Sequence, residues 1–336
     1  VTDDGADGAP SPERVKAAVR RGMDLSKSVP ISVMEVGAWA NINYVYRIDI
    51  PGRRFYLKVV PERPKRFPIR LPRERVFSEA EGLRRFHNLA GNELVTPELL
   101  FIDGEEMAMA MTDVGEGREV LLTLLPERFD LLSEQAGVLG RALGAVHRGT
   151  RGGGTPRPAQ EEVIIRRVIF DGLLAPGARK VFPELWDEVR SEMEEHTECL
   201  IHGDLWSKNL LVRSGEPVAV VDFEGVSYGD PAFDLGTLIA VALVPGIQQP
   251  AFMRDAIAFT STLLRAWTST CGSDDWASEV VPRAFRATAT FLAARGFGPF
   301  PYPMAAAVRK RIGELARSLA TEPPSDVKAF RALAHW

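Results

Sequence analysis

Residues 200–236 read LIHGDLWSKNLLVRSGEPVAVVDFEGVSYGDPAFDLG, and the rest of the chain is organised around them. An apolar approach, Cys199-Leu200-Ile201, delivers a polar loop from His202 to Asn209. Leu210-Leu211-Val212 is a second apolar step, and Ser214-Gly215-Glu216-Pro217 has turn chemistry. Val218 to Val221 then forms a strongly β-prone run that ends on Asp222. The pattern predicts a hairpin-like unit projecting Asp204, Asn209 and Asp222 toward one point. Two carboxylates and an amide are oxygen donors, which suit a hard cation such as magnesium carrying a nucleotide.

The chain has 336 residues, too many for one small core and suited to two lobes. A net charge of −4 supplies no global field for nucleic acid or an anionic membrane. No apolar run approaches the roughly 20 residues of a membrane span. The first residues are acidic and small, without a basic-then-apolar leader. Cys199 and Cys271 lack metal-type spacing. The expectation is a cytoplasmic, reduced protein with no nucleic-acid or membrane partner; its oligomeric state is left open.

Residues 1–12 (VTDDGADGAPSP) are expected to be a disordered tail, with Ser11-Pro12-Glu13 starting a helix that carries Val15, Val19 and Met23. Strands are predicted at 31–36, 43–50 and 54–60, paired as two antiparallel hairpins. Lys58 interrupts the third, apolar run. It reads either as a solvent-facing side chain or as an ammonium that binds phosphate. The basic, proline-rich stretch 61–72 (PERPKRFPIRLP) reads as a solvated loop, with a phosphate-facing role as the alternative. A helix over 73–89 places Arg75, Glu79, Leu83 and Phe86 at helical spacing. Glu79 then pairs either with Arg75 four residues earlier or with Lys58. Strands at 97–102 and 107–111 precede a break at Thr112 to Gly117. The fold class is therefore α+β: a β-rich N-terminal lobe over 13–112, a mainly helical lobe over 113–320, and a polar tail over 321–336.

HGDLWSKN, VVDFEG and GDPAFDLG in this order and spacing resemble the aminoglycoside phosphotransferase and choline kinase superfamily of small-molecule kinases. The resemblance covers about residues 30–320 and implies a protein-kinase-like bilobal fold. In the first lobe, EVG, NINYVYRI, YLKVV and LPRERVFSEAEGL are similar to methylthioribose kinase-like proteins, while Trp206-Ser207 resembles fructosamine kinases.

The resemblance implies roles. Asp204 would be the base that takes the proton of an acceptor hydroxyl, and Asn209 and Asp222 would hold magnesium. Asp222 begins Asp-Phe-Glu in place of the kinase Asp-Phe-Gly, so Glu224 becomes a nearby acid or an acceptor ligand. His202 would support the loop. Lys58 would contact the α- and β-phosphates, oriented by Glu79. Peptide groups around Met111, Thr112 and Val114 would meet the adenine edge. The segment from Gly37 to Asn43 would cover the phosphates, with Asn41 and Asn43 standing where glycines are missing. Asp230 reads as a turn residue, and Asp234 as a helix cap that also braces the loop. Trp206 is a stacking wall or a packing residue, and Arg286 and Arg295 reach the acceptor or lie exposed. The acidic run at Glu192 to Glu195 reads as a solvated helix face.

The expected activity is thus an ATP- and magnesium-dependent phosphotransferase acting on a hydroxyl of a small polar metabolite: a sugar, thio-sugar, cyclitol or aminoglycoside-like antibiotic. Two rivals remain at this point. A protein kinase is opposed by the missing glycine loop, Asp-Phe-Gly and Ala-Pro-Glu. A non-catalytic nucleotide-binding protein is opposed by the intact set Lys58, Asp204, Asn209 and Asp222.

Overall fold

A computed structural model describes residues 9–36, 42–67, 69–153 and 164–333. Gly37 and Asn41, expected over the phosphates, lie outside these residues. Alternation builds the first lobe. Strands β1 (Ser32–Val36), β2 (Tyr44–Ile50), β3 (Arg53–Val59), β4 (Leu99–Asp103) and β5 (Ala108–Thr112) form one sheet in the order β1-β2-β3-β5-β4. Every pairing is antiparallel. The two antiparallel hairpins expected from the sequence share β2 and form a three-strand meander, and β3 pairs further with β5 of the β4–β5 hairpin. Tyr46, Ile48, Phe55 and Leu57 bury one face against Val15 and Val19 of helix α1 (Pro12–Met23). Within the stretch 1–12 expected as a tail, Ser11 caps α1 by accepting from the Arg14 amide, and the Pro10 carbonyl accepts the Tyr46 hydroxyl.

The second lobe is built on the helix Pro231–Gln248, in which Pro231 through Ile247 are all buried. By length and composition this helix is apolar enough to cross a membrane, but 94% of it is buried inside the protein. Its hydrophobicity has the simpler cause that helices pack on it from several sides. Gly236 lets the helix Asp274–Phe297 approach closely; a Cβ there would lie 2.6 Å from that of Ala287. The helices Met253–Cys271 and Ala306–Thr321 complete the bundle. The polar tail expected from 321 is held in place instead. Val327–Leu333 is helical, and Phe330 is buried and stacks on Phe285 at 4.9 Å.

Between bundle and first lobe lie two small sheets. Strand β8 (Leu210–Val212) pairs with β9 (Ala219–Val220) and with β6 (Glu119–Val120), while β7 (Cys199–Ile201) pairs with β10 (Ser227–Gly229). The predicted hairpin is β8–β9, and β7 enters through a second pairing. Both arrangements deliver their loops to the same edge. Helix α2 (Arg75–Ala90) docks there, with Phe86 set edge-on to Phe223 and His202. The basic loop is more than solvated surface. Its Leu71 is 1% exposed and packs with Ile42 and with Val168 of the π-type helix Ile164–Leu174, so it ties the lobes together.

Candidate active site

Lys58 is 4% exposed, which rules out the solvent-facing reading. Its Nζ lies 2.5 Å from Glu79 Oε1, 2.7 Å from Asp222 Oδ1 and 3.9 Å from Glu224 Oε2. Burial alone would drive the ammonium to lose its proton, but Asp222, Glu79 and Glu224 outweigh burial and keep it charged. Glu79 thus chooses Lys58 over Arg75. Arg75 instead donates to Asn43 Oδ1 at 3.0 Å and to the carbonyls of Pro61 and Pro72 at 2.9 and 2.7 Å. Asn43 in turn donates to Glu224 Oε2 at 2.6 Å. Asn43 therefore holds a carboxylate in place. Burial, and then the neighbouring charge of Asp222, push Glu224 up to about 8. Arg75 was legible as part of the LPRERVFSEAEGL resemblance, but its partners were not, because they are backbone carbonyls and an asparagine distant in sequence.

The catalytic-loop candidate is hung from Asp234. Its carboxylate accepts from the amides of His202 and Gly203 at 2.8 and 2.9 Å. His147 Nε2 lies 3.4 Å from the same carboxylate, and the His147 Nδ1 accepts from Trp267 Nε1 at 3.0 Å. Asp234 braces the loop as expected but does not cap the helix. That role falls to Asp230, which accepts from the Ala232 amide at 2.9 Å and is gripped by Arg283 at 2.8 Å. Asp204 then meets Asn209, whose Nδ2 donates to both the Asp204 carbonyl and Oδ2 at 2.8 Å. Lys208 Nζ lies 3.1 Å from Asp204 and 3.9 Å from Asp222. Its place between the two carboxylates was not legible, since a lysine in a polar loop is ordinarily surface. Burial would raise Asp222, but Lys58 and Lys208 hold its carboxyl down at about 2.

Two backbone features fix this geometry. Asp222 itself sits at φ 68°, a left-handed conformation costly for a non-glycine residue and common where function demands it. Gly203 has φ +77°, and a Cβ there would lie 2.2 Å from the Gly225 carbonyl oxygen. Gly203→Ala is expected to cost about 2 kcal/mol or more of folding stability. A chemical-denaturation midpoint equal to that of the unsubstituted protein would contradict this.

A cleft of about 240 Å³ lies between the lobes and is lined by Val36, Val45, Met109, Met111 and Leu211, with Lys58, Asn209 and Asp222 at its polar end. Thr112 and Val114 also line it, although the Thr112 amide already donates to the Glu98 carbonyl at 3.0 Å. The Thr112 amide is therefore already committed within the first lobe. Carboxylate oxygens of Asp204, Asp222 and Glu224 lie within 4.8 Å of one another, a hard-oxygen set that fits magnesium. In the recess beside Asp204, Trp206 is edge-on to Phe291 at 5.1 Å, and the Arg295 guanidinium stacks 3.7 Å from the Trp206 ring. Trp206 is buried and packed, and it also lines that recess. Arg286 is turned elsewhere, paired with Glu188 and Glu192 at 3.0 and 3.3 Å, and it lines neither the cleft nor the acceptor recess. The helix register carries it to another face than Arg295. That pairing also gives Glu192 of the acidic run a structural partner.

Comparison with known proteins agrees with this geometry. The profile of the phosphotransferase enzyme family matches residues 37–277. A 4-hydroxytryptamine kinase from Psilocybe cyanescens is 28% identical over 161 residues, 42% of this chain. The match spans only 44% of that relative's length. A microcompartment-associated aminopropanol kinase superposes with a TM-score of 0.54 at 15% identity, over 96% of this chain and 98% of that one. A choline/ethanolamine kinase family protein from Mesorhizobium loti gives 0.51 at 20% identity, over 95% and 99%. An amicoumacin kinase in complex with AMP-PNP, Ca2+ and Ami gives 0.54 at 16%, over 94% and 98%. At such identities the solved structures show the fold, the bilobal α+β arrangement of protein-kinase-like small-molecule kinases. With the profile matching well over half of its residues, this chain belongs to the phosphotransferase enzyme family.

Proposed function

We propose that this protein transfers the γ-phosphoryl group of ATP, with magnesium, to a hydroxyl of a small polar metabolite, with Asp204 as the base. One observation carries the reading. Lys58 from the first lobe and Asp222 from the second meet at 2.7 Å, beside the bonded pair Asp204 and Asn209. A phosphate-binding cation, two metal-suited oxygen donors and a base thus share one interlobe corner. Lys58 takes the α- and β-phosphates, and Glu79 fixes its direction. Peptide groups near Met111, Thr112 and Val114 face the adenine. Magnesium, held by Asn209 and Asp222, would neutralise phosphate charge as the bond to the leaving diphosphate breaks. Asp204 takes the hydroxyl proton on its carboxylate and points the oxygen at phosphorus. Lys208 sits where it offsets charge on the transferring group. The two buried, unpaired thiols, Cys199 and Cys271, suit a reducing, cytoplasmic setting.

The recess next to Asp204 is small and walled by Leu173, Trp206, Phe291 and Phe300, a setting that favours a small molecule over the peptide of a protein kinase. The reading is tested by magnesium-dependent ADP release across sugars, nucleoside-derived thio-sugars and aminoglycosides. Acceptor-stimulated release is expected in the native protein and is lost in Asp222→Asn. Release that persists in that variant would count against the proposed metal site.

A further inference from the structure

The recess beside Asp204 is walled by Ile169, Leu173, Trp206, Phe291, Arg295 and Phe300. Apart from Asp204 its lining is apolar and aromatic with one cation, Arg295, whose surroundings differ from those of its neighbours. The helix Asp274–Phe297 carries three arginines. Arg283 is paired with Asp230 and Glu198, and Arg286 with Glu188 and Glu192. Arg295 has no carboxylate within ion-pair distance among the described residues, and its Nε is buried without a hydrogen-bond partner. Its guanidinium is held instead by rings, 3.7 Å from the Trp206 centroid and 5.1 Å from that of Tyr302. Stacking on aromatic faces keeps a guanidinium planar and fixed while leaving its N–H edges to an oxyanion.

The other charged groups near the acceptor are already engaged. An adjoining recess shares Ile169, Leu173 and Asp204 and adds Lys208 and Glu224. Lys208 is bound to Asp204 at 3.1 Å. Glu224 Oε2 accepts from Asn43 at 2.6 Å and faces Lys58 at 3.9 Å. An ammonium entering here meets Arg295 with no uncommitted carboxylate to receive it. A carboxylate meets a pre-positioned fork.

We infer that the acceptor is an alcohol with a flat apolar body and a carboxylate, the carboxylate bound by Arg295 and the body packed among Ile169, Leu173 and Phe300. This rests on the phosphotransferase reading above and narrows it away from polycationic antibiotics. The hydroxyl lies toward Asp204, and the carboxylate toward the helix that carries Arg295.

The test uses three isosteric probes, para-hydroxymethyl benzoate, benzamide and benzylamine, with the full chain and magnesium. Two readouts are taken: ADP release with ATP, and binding by Trp fluorescence or calorimetry with AMP-PNP. The benzoate is expected to lead the benzylamine by about tenfold or more in both, the scale of one charge-assisted hydrogen-bonded pair. Arg295→Met should collapse the benzoate-to-benzamide ratio toward one, and Arg295→Lys should restore part of it. A merely structural arginine would lower all three probes together and leave the ratios unmoved, which would overturn the inference. So would benzylamine leading, or none of the three binding. If benzoate binds in the expected order but no probe stimulates ADP release, the recess chemistry stands and the phosphotransferase reading fails.

Discussion

Asp204→Asn is expected to lower turnover by about 10²–10⁴-fold, the usual contribution of a positioned general base, while nucleotide affinity stays near that of the native protein. The replacement is isosteric and keeps an oxygen to accept from Asn209, now at 2.8 Å. Lys208 loses one partner at 3.1 Å and keeps Asp222 at 3.9 Å. The loop remains hung from Asp234 through the amides of His202 and Gly203, so its path does not depend on the Asp204 charge. What is lost is the site that receives the hydroxyl proton. The defect should appear in kcat, with the KM for ATP little changed. A variant retaining more than about a tenth of native turnover would remove Asp204 from the chemistry.

Lys58→Met should be damaging in two separable ways. The ammonium sits among Glu79, Asp222 and Glu224, all within 3.9 Å. Removing it strands those carboxylates, and breaking a buried pair of this kind costs about 3–5 kcal/mol. The sign of the pH dependence follows. Without Lys58 the stranded carboxyls titrate higher in the folded than in the unfolded chain. The folded variant therefore takes up protons more readily as pH falls. The stability deficit is largest at neutral pH and narrows toward 4.5, the ordinary glutamate value. Thermal midpoints measured from neutral pH downward check this; a gap that widens in acid would contradict it. The second loss is the contact to phosphate. The double variant Lys58→Met, Glu79→Met should recover part of the stability and none of the turnover. Recovery of both would mean that the lysine is structural only.

Much of the fold was legible because its signals are local. Alternation in Tyr44–Ile50 and Arg53–Val59 gave the sheet, and β5 ends at Thr112, where the sequence pattern breaks. The pairing of β3 with β5 was less legible, since it joins strands far apart in sequence. The ordered ends had weak signals: Phe330 is one aromatic residue in a polar stretch, and only its stack on Phe285 shows what holds it. At the site, Lys58 stood out as a charge inside an apolar strand, and Asp204, Asn209 and Asp222 by their spacing. Asn43 and Glu224 were also singled out, but their bond to each other was not legible. Arg75, Asn43 and Glu224 form a chain of hydrogen bonds across 181 positions of sequence. Arg286 and Arg295 looked alike in sequence; their different fates follow from the helix face each occupies and from whether a carboxylate waits there.

The most direct test follows the phosphoryl group itself. The native protein and Asp204→Asn are each incubated with γ-labelled ATP, magnesium and a metabolite extract, alongside a peptide and protein pool. If Asp204 is the base of a small-molecule kinase, label passes from ATP to a small molecule with the native protein only, and none enters peptide. Equal transfer by both proteins, or label found in peptide rather than metabolite, would contradict the central claim.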